Sequence, residues 1–189
     1  MAVIELSGKK SRGHFTIVDD EDLSLVSMTT WNYHPQGYAV RSGKRLHRVI
    51  MNAPDGIGVD HINGDRLDNR KCNLRLATQT QNNRNSRPQK TTSEYKGVRI
   101  DGVGMDGKIR WRASIATSGK VIQLGTFTSE VDAALAYNAA ARHFFGEFAW
   151  LNKVDGVEPT FEEVIKAKRP RGAQKGHPPY GNARRRATP

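Results

Sequence analysis

The chain has 189 residues, of which 37% are apolar, so it can hold one medium domain or two small ones with modest cores. Its formal net charge of +11 favours polyanionic partners, chiefly nucleic acid, because neutralising phosphates releases condensed counterions. A lone cysteine, Cys72, excludes an intrachain disulfide framework and a Cys-based zinc site.

Residues 1–58 are predicted to form short strands and turns with little helix. A hairpin is expected over residues 31–41, where Gly37 precedes a short apolar strand. Residues 46–52 are apolar enough for a short buried helix or strand. His47 lies in this run, either as a core histidine or as a residue that helps to bind phosphate or to build a site.

The stretch of residues 59–85 organises the rest of the chain. Residues 59–61 are predicted to end one strand, and Asn, Asp and Gly residues that tolerate left-handed turns follow as a loop. Residues 73–77 alternate between polar and apolar and return as a second strand. Thr78 or Thr80 then caps a short helix rich in Gln and Asn. Because amides are poor helix formers, their density indicates that amide oxygens are needed there.

Within this stretch, an Asp–His pair and two asparagines have the chemistry of a hydrolytic site. Asp60 and Asn82 offer a carboxylate oxygen and an amide oxygen to a hard metal ion. His61 can take a proton from water, and Asn73 stands twelve residues after it. Those groups are the parts needed to hydrolyse a phosphodiester.

The strand–loop–strand–helix pattern, with LHRVI ahead of VDHINGD and DNRKCNLR and QNNRN after it, resembles the HNH nuclease motif, the ββα-metal fold, over roughly residues 45–85. It most closely resembles the phage and bacterial homing-type branch, in which asparagine replaces the last histidine. The resemblance implies that Asp60 and Asn82 bind the metal. It implies further that His61 is the general base and that Asn73 locks the loop and orients the histidine. An all-oxygen, partly open site suits Mg²⁺ or Mn²⁺ better than Zn²⁺.

A second unit is predicted from residue 94, after a polar linker at residues 86–93. Short strands are expected at three places along it: residues 97–100, 109–115 and 121–127. Ser129 is a good start for a helix over residues 130–145, which Gly146 would end.

The segments YKGVR, WRASI, LGTF and AALAYNAAARHFFGEFAWLN resemble the APETALA2/ethylene-response-factor DNA-binding domain, over residues 94–153. In that family a three-stranded antiparallel sheet lies in the major groove, and its outer side chains contact bases and phosphates. The resemblance and the alternation along the strands predict these DNA contacts: Lys96, Arg99, Arg110, Arg112 and Gln123. Basic residues of the first unit are further candidates: His47, Arg48, Arg75 and Arg84.

These patterns predict an α+β protein. A ββα-metal (HNH) nuclease domain is expected at residues 1–85 and the linker at 86–93. A three-stranded antiparallel sheet packed on one helix follows at 94–153, and residues 154–189 form a basic, largely flexible tail that grips the DNA backbone.

The function expected from the two resemblances is that of a metal-dependent homing endonuclease that cuts double-stranded DNA, as a monomer or homodimer without another protein partner. No apolar run approaches the ~20 residues of a membrane span and no signal peptide is apparent, so a cytoplasmic location in a bacterial or phage-infected cell is expected. The alternative is a DNA-binding regulator that does not cleave. An RNA-binding protein is a weaker third possibility, because the narrow A-form major groove would not admit the sheet.

Overall fold

The computed structural model describes residues 1–8, 11–88 and 92–167. The middle of the predicted linker, residues 89–91, and most of the predicted basic tail, from residue 168 onward, lie outside these ranges. Within them, no helix is both long enough and apolar enough to cross a membrane.

The first half of the chain, residues 1–88, is built from short strands and short helices. They are β1 (Ala2–Glu5), β2 (Phe15–Val18), α1 (Leu23–Ser27), β3 (Asn32–Tyr33), β4 (Ala39–Arg41), β5 (Lys44–Arg45), α2 (Leu46–Ile50), β6 (Gly58–His61), β7 (Leu74–Ala77) and α3 (Gln79–Arg84). β1 pairs with β2, β4 lies between β3 and β5, and β6 pairs with β7, all antiparallel.

The β6–β7 pair and α3 place the polar residues of the central stretch. In the register of the pair, Asp60 lies opposite Arg75 and His61 lies opposite Leu74. The helix begins at once after β7, because Thr78 caps it: the Thr78 side chain accepts from the Gln81 backbone N–H, and Gln81 reaches back to the Thr78 N–H. This reciprocal cap fixes where a helix of poor intrinsic propensity starts.

A hydrophobic cluster ties β6 and β7 to the strands and helices before them. Val59 and Leu74, one from each strand of the pair, are buried against Leu46 of α2 and Trp31. The indole of Trp31 donates to the Val26 carbonyl at 3.1 Å, so its polar atom is satisfied inside the cluster. The residues before the central stretch therefore form the support on which the pair rests.

The second half, residues 92–167, contains a three-stranded antiparallel sheet and two helices. They are β8 (Val98–Val103), β9 (Ile109–Thr117), β10 (Lys120–Phe127), α4 (Glu130–Phe145) and α5 (Phe161–Ala167), and β9 is the central strand. The Ser129 side chain accepts from the Asp132 N–H at the start of α4, and Gly146 follows its last residue with a φ of +54°.

A second hydrophobic cluster joins this sheet to α4. The alanine-rich face of α4 is buried against Ala113, Ile115 and Leu124 of the sheet. Gly97 lies so close to the helix that a Cβ there would overlap the Tyr137 ring, and its φ of +76° also favours glycine.

The two halves touch where α4 ends. The Arg75 guanidinium donates to the Glu147 carbonyl and lies 4.1 Å from the centre of the Phe148 ring. The Lys96 ammonium donates to the Arg84 and Ser86 carbonyls at 2.6 and 2.7 Å, which caps the end of α3. The second half thus contacts both the strand and the helix that carry the candidate site.

Candidate active site

A cleft of about 730 Å³ opens beside the β6–β7 pair and α3. Asp60, His61 and Asn82 line it, and Tyr38 of the β3–β4 hairpin lines it from another side. Three of the four residues singled out for hydrolysis therefore share one concave site, which is where a substrate can meet several functional groups at once.

His61, at the end of β6, is held by a chain of buried hydrogen bonds. Its Nε2 lies 3.2 Å from Oδ1 of Asn69, a residue that is 0% exposed. The Asn69 amide nitrogen donates to the Thr16 hydroxyl at 2.7 Å, and that hydroxyl donates to the Leu67 carbonyl at 2.8 Å. Because the amide nitrogen is the donor in this chain, the amide oxygen faces the imidazole as an acceptor.

This series of hydrogen bonds determines which nitrogen of His61 carries the proton. An acceptor opposite Nε2 requires an Nε2–H, so Nδ1 is the ring nitrogen with a free lone pair. Burial lowers the pKa of His61 below its ordinary value, although the Asn69 bond and the charge of Asp60 act in the opposite direction. The imidazole is therefore neutral at neutral pH, as a general base has to be.

His47, from α2, packs its ring edge-on against His61 at a centroid distance of 4.9 Å. It is 3% exposed, and burial, followed by the charge of His61 and of nearby arginines, lowers its pKa to about 3. A histidine that is neutral at neutral pH brings no positive charge to a phosphate. In the structure it is a buried histidine that packs against His61 and does not line the cleft.

Asp60 is 4% exposed, and its carboxylate is held from two sides. Arg75 donates to Oδ2 through Nε and Nη2, at 2.9 and 2.6 Å. The Asn85 amide nitrogen lies 3.1 Å from Oδ1 and 3.0 Å from Oδ2. Because a carboxylate has about four lone-pair positions, Oδ1 keeps capacity for a further ligand.

Asn82, on α3, is half-buried in the same cleft, and its side-chain amide makes no hydrogen bond with any residue that the structure describes. Carboxylate and amide oxygens are donors that Mg²⁺ and Mn²⁺ accept, so Asp60 and Asn82 fit such an ion. Across the described ranges, no group of three or more His, Cys, Asp or Glu side chains could hold a metal. An ion bound here would need substrate and water oxygens to complete its coordination.

Asn73 lies outside the cleft and holds the loop between β6 and β7. Its amide nitrogen donates to the Asn63 side-chain oxygen at 3.0 Å and to the Asp68 carbonyl at 2.8 Å, and its amide oxygen accepts from the Asn63 N–H at 2.9 Å. The loop-locking part of its predicted role matches these contacts. The ring of His61, however, is bonded to Asn69, which the sequence suggested only as a turn residue.

Several basic residues predicted to contact DNA have partners within the protein. Arg75 is bound to Asp60, and Lys96 caps α3, with burial lowering the pKa of its ammonium to about 8. Arg48 donates to three carbonyls between α2 and β6, the nearest being that of Ile57 at 2.5 Å. The sequence around these three residues does not indicate these internal acceptors.

The remaining candidates are more accessible. Arg84 lies over the Phe145 ring at 4.9 Å. Arg99 on β8 is exposed and lies opposite Arg112 of β9, which pairs with Asp101. Two further positions complete the set: Arg110, which pairs with Asp106 at 2.8 Å, and Gln123, which is half-buried opposite Ser114.

Comparison with known proteins places this site in a family. The family model described as HNH endonuclease matches residues 44–84, a range that contains Asp60, His61, Asn73 and Asn82. The chain is also 36% identical over 155 residues to an uncharacterized HNH endonuclease of Acanthamoeba polyphaga mimivirus, across 77% of this chain and 79% of that protein. The chain belongs to the HNH endonuclease family.

Proposed function

We propose that the protein is a divalent-metal-dependent endonuclease that hydrolyses phosphodiester bonds in double-stranded DNA. The observation that carries the proposal is the shared cleft, in which neutral His61 lies beside the anchored carboxylate of Asp60 and the unengaged amide of Asn82. Family membership supports a nuclease, and the net charge of +11 supports a polyanionic substrate.

In the proposed reaction, His61 accepts a proton at Nδ1 from the water that attacks the phosphorus. Asn69 accepts a hydrogen bond from the other ring nitrogen, Nε2, so Nε2 stays protonated and Nδ1 is the nitrogen that accepts the proton from water. Arg75 and Asn85 fix the Asp60 carboxylate, which would hold the metal together with the Asn82 amide oxygen. The bound metal would stabilise negative charge on the phosphate and on the leaving oxygen.

We further propose that residues 1–85 form the nuclease domain and residues 94–153 a DNA-binding domain of APETALA2 type. The two separate hydrophobic clusters support the division, and the antiparallel sheet with α4 behind it supports the type. The outer arginines of the sheet would contact DNA: Arg99, Arg110 and Arg112. A homing role stays a prediction from the resemblance of the sequence.

The first test is plasmid cleavage. Purified protein would be incubated with supercoiled plasmid in Mg²⁺, Mn²⁺ or EDTA, beside His61→Ala and the matched control His143→Ala, which changes an exposed histidine on α4. We expect nicked or linear product that requires the metal, is lost in His61→Ala and persists in the control. Binding of DNA without cleavage in every metal would instead favour the non-cleaving regulator.

A further inference from the structure

Two arginines that the proposed reaction does not use lie over one tyrosine ring in the cleft. The guanidinium carbon of Arg45 is 4.5 Å from the centre of the Tyr38 ring, and that of Arg66 is 4.8 Å from it. All three side chains line the cleft that contains His61. The arginines come from different segments, the end of β5 and the loop after β6, so the fold brings their charges together.

The β3–β4 hairpin holds this group in place. Arg66 donates from Nη1 to the Gln36 carbonyl at 2.5 Å, and Arg45 donates from Nη2 to the Gln36 side-chain oxygen at 3.4 Å. Stacking on an aromatic face leaves the N–H edge of a guanidinium available, which is the edge that binds phosphate oxygens. Tyr38 and Gln36 therefore orient the two cations without using up all of their donors.

The two arginines form no ion pair with the residues that the structure describes. In the described part of the chain, neither Arg45 nor Arg66 has a carboxylate within 4.0 Å, whereas Arg70 and Arg75 each pair with a buried aspartate. Arg45 and Arg66 are both exposed to solvent. Two like charges gathered at one ring of a cleft indicate a site for an anion.

The position of the pair relates it to the proposed chemistry. The centre of the Tyr38 ring is 6.2 Å from that of His61, and both guanidinium carbons are within 5 Å of the Tyr38 ring centre. One DNA strand carries a charge every ~3.4 Å along the axis, so both guanidinium groups lie within about three nucleotides of His61.

We propose that Arg45 and Arg66, oriented by Tyr38, bind backbone phosphates that flank the bond being cut, on the same strand. The ligand is thus a phosphodiester, and the contact is one of charge and geometry without base specificity. The proposal rests on the proposed nuclease function, because it takes the strand in the cleft to be the substrate.

The test separates binding from cleavage. Binding of a fluorescein-labelled 30-base-pair duplex of mixed sequence would be followed by anisotropy in EDTA, over a range of NaCl concentrations. The variants are Arg45→Gln, Arg66→Gln and the double variant, with Arg45→Lys and Arg66→Lys as charge-keeping partners. Arg41→Gln, an exposed arginine of the same hairpin that does not line the cleft, is the matched control. Circular dichroism would verify that each variant is folded.

The slope of log K against log [NaCl] is negative. Each glutamine variant should make it less negative by about 0.9, and the double variant by about twice that. The lysine variants and Arg41→Gln should keep the wild-type slope. In plasmid cleavage, the glutamine variants should raise KM and leave kcat unchanged, because a flanking contact is the same in the ground and transition states.

Unchanged slopes in the glutamine variants, or an equal loss in Arg41→Gln, would overturn the assignment. The two proposals fail differently. If the wild type cleaves but the glutamine variants bind like it, the phosphate contact is wrong and the nuclease stands. If nothing cleaves in any metal while the slopes change as expected, the two arginines bind backbone phosphates, but the hydrolytic proposal, and with it the statement that these phosphates flank a cut bond, is wrong.

Discussion

His47, the buried histidine that packs against His61, should make the stability of the protein depend on pH. Burial lowers the pKa of His47 from 6.5 to about 3, so the unfolded chain takes up a proton below pH 6.5 that the folded chain excludes. The free energy of unfolding therefore falls as the pH drops from 6.5 towards 3. At pH 5 the loss relative to pH 8 is about 2 kcal/mol, at roughly 1.4 kcal/mol per pH unit.

Urea unfolding at pH 8 and pH 5 measures this loss. His47→Gln has no ionisable group at this position, so its stability should fall by about 2 kcal/mol less than that of the wild type between the two pH values. Carboxylates titrate alike in both proteins and cancel in the comparison. His143→Gln, at an exposed position, should keep the wild-type dependence. A His47→Gln variant with the full wild-type loss would refute the reasoning.

Three other substitutions test the packing and the site. Gly97→Ala should cost about 2–4 kcal/mol in urea unfolding, because its Cβ overlaps a buried ring, whereas Gly107→Ala, at a similar φ of +74° but with open space around it, should cost only about 1 kcal/mol. Asn69→Ala should release the imidazole of His61 from its single tautomer, seen as altered ring ¹⁵N shifts in NMR, and should lower kcat for cleavage; shifts like those of the wild type would contradict the hydrogen-bond chain. Arg75→Gln should destabilise the fold by about 3–5 kcal/mol, since it leaves a buried carboxylate unpaired, and a loss below 1 kcal/mol would contradict this.

Some elements could be predicted because their signals are local. The helix expected at residues 130–145 lies at Glu130–Phe145, and its capping residues, Ser129 and Gly146, are adjacent to it in sequence. The alternation along β9 likewise places Ala113 and Ile115 on the buried side. Ile109, which the same alternation would put on that side, is exposed at the first position of the strand.

The series of hydrogen bonds that holds His61 could not be predicted in this way. Asn69 and Thr16 are 53 residues apart, and only the packing of β2 against the loop brings them together. The local sequence predicts that Asn69 lies in a turn, since Asn is common in turns, and that Thr16 lies in a strand. The sequence predicts a group of amides in α3, but nothing in the pattern distinguishes Asn85, which holds the carboxylate, from its neighbours.

Positive residues were the least predictable from pattern alone. Charge suggests that a residue meets a polyanion, but acceptors inside the protein compete for the same donor. Lys96 meets the carbonyls of a helix end, and Arg75 meets a carboxylate on the adjacent strand. Arg45 and Arg66, which have no such carboxylate among the described residues, lie in no sequence pattern that distinguishes them from other arginines.

The contact between the halves bears on how such proteins can be recombined. Arg75 holds the Asp60 carboxylate on one side and the Glu147 carbonyl and Phe148 ring on the other, while Lys96 caps the helix that carries Asn82. A hybrid that joins residues 1–88 to a foreign targeting module would lose these supports. Exchange of specificity by domain shuffling should therefore succeed only when the incoming module brings an equivalent lysine and an equivalent carbonyl, so the two halves are expected to be inherited as a matched pair.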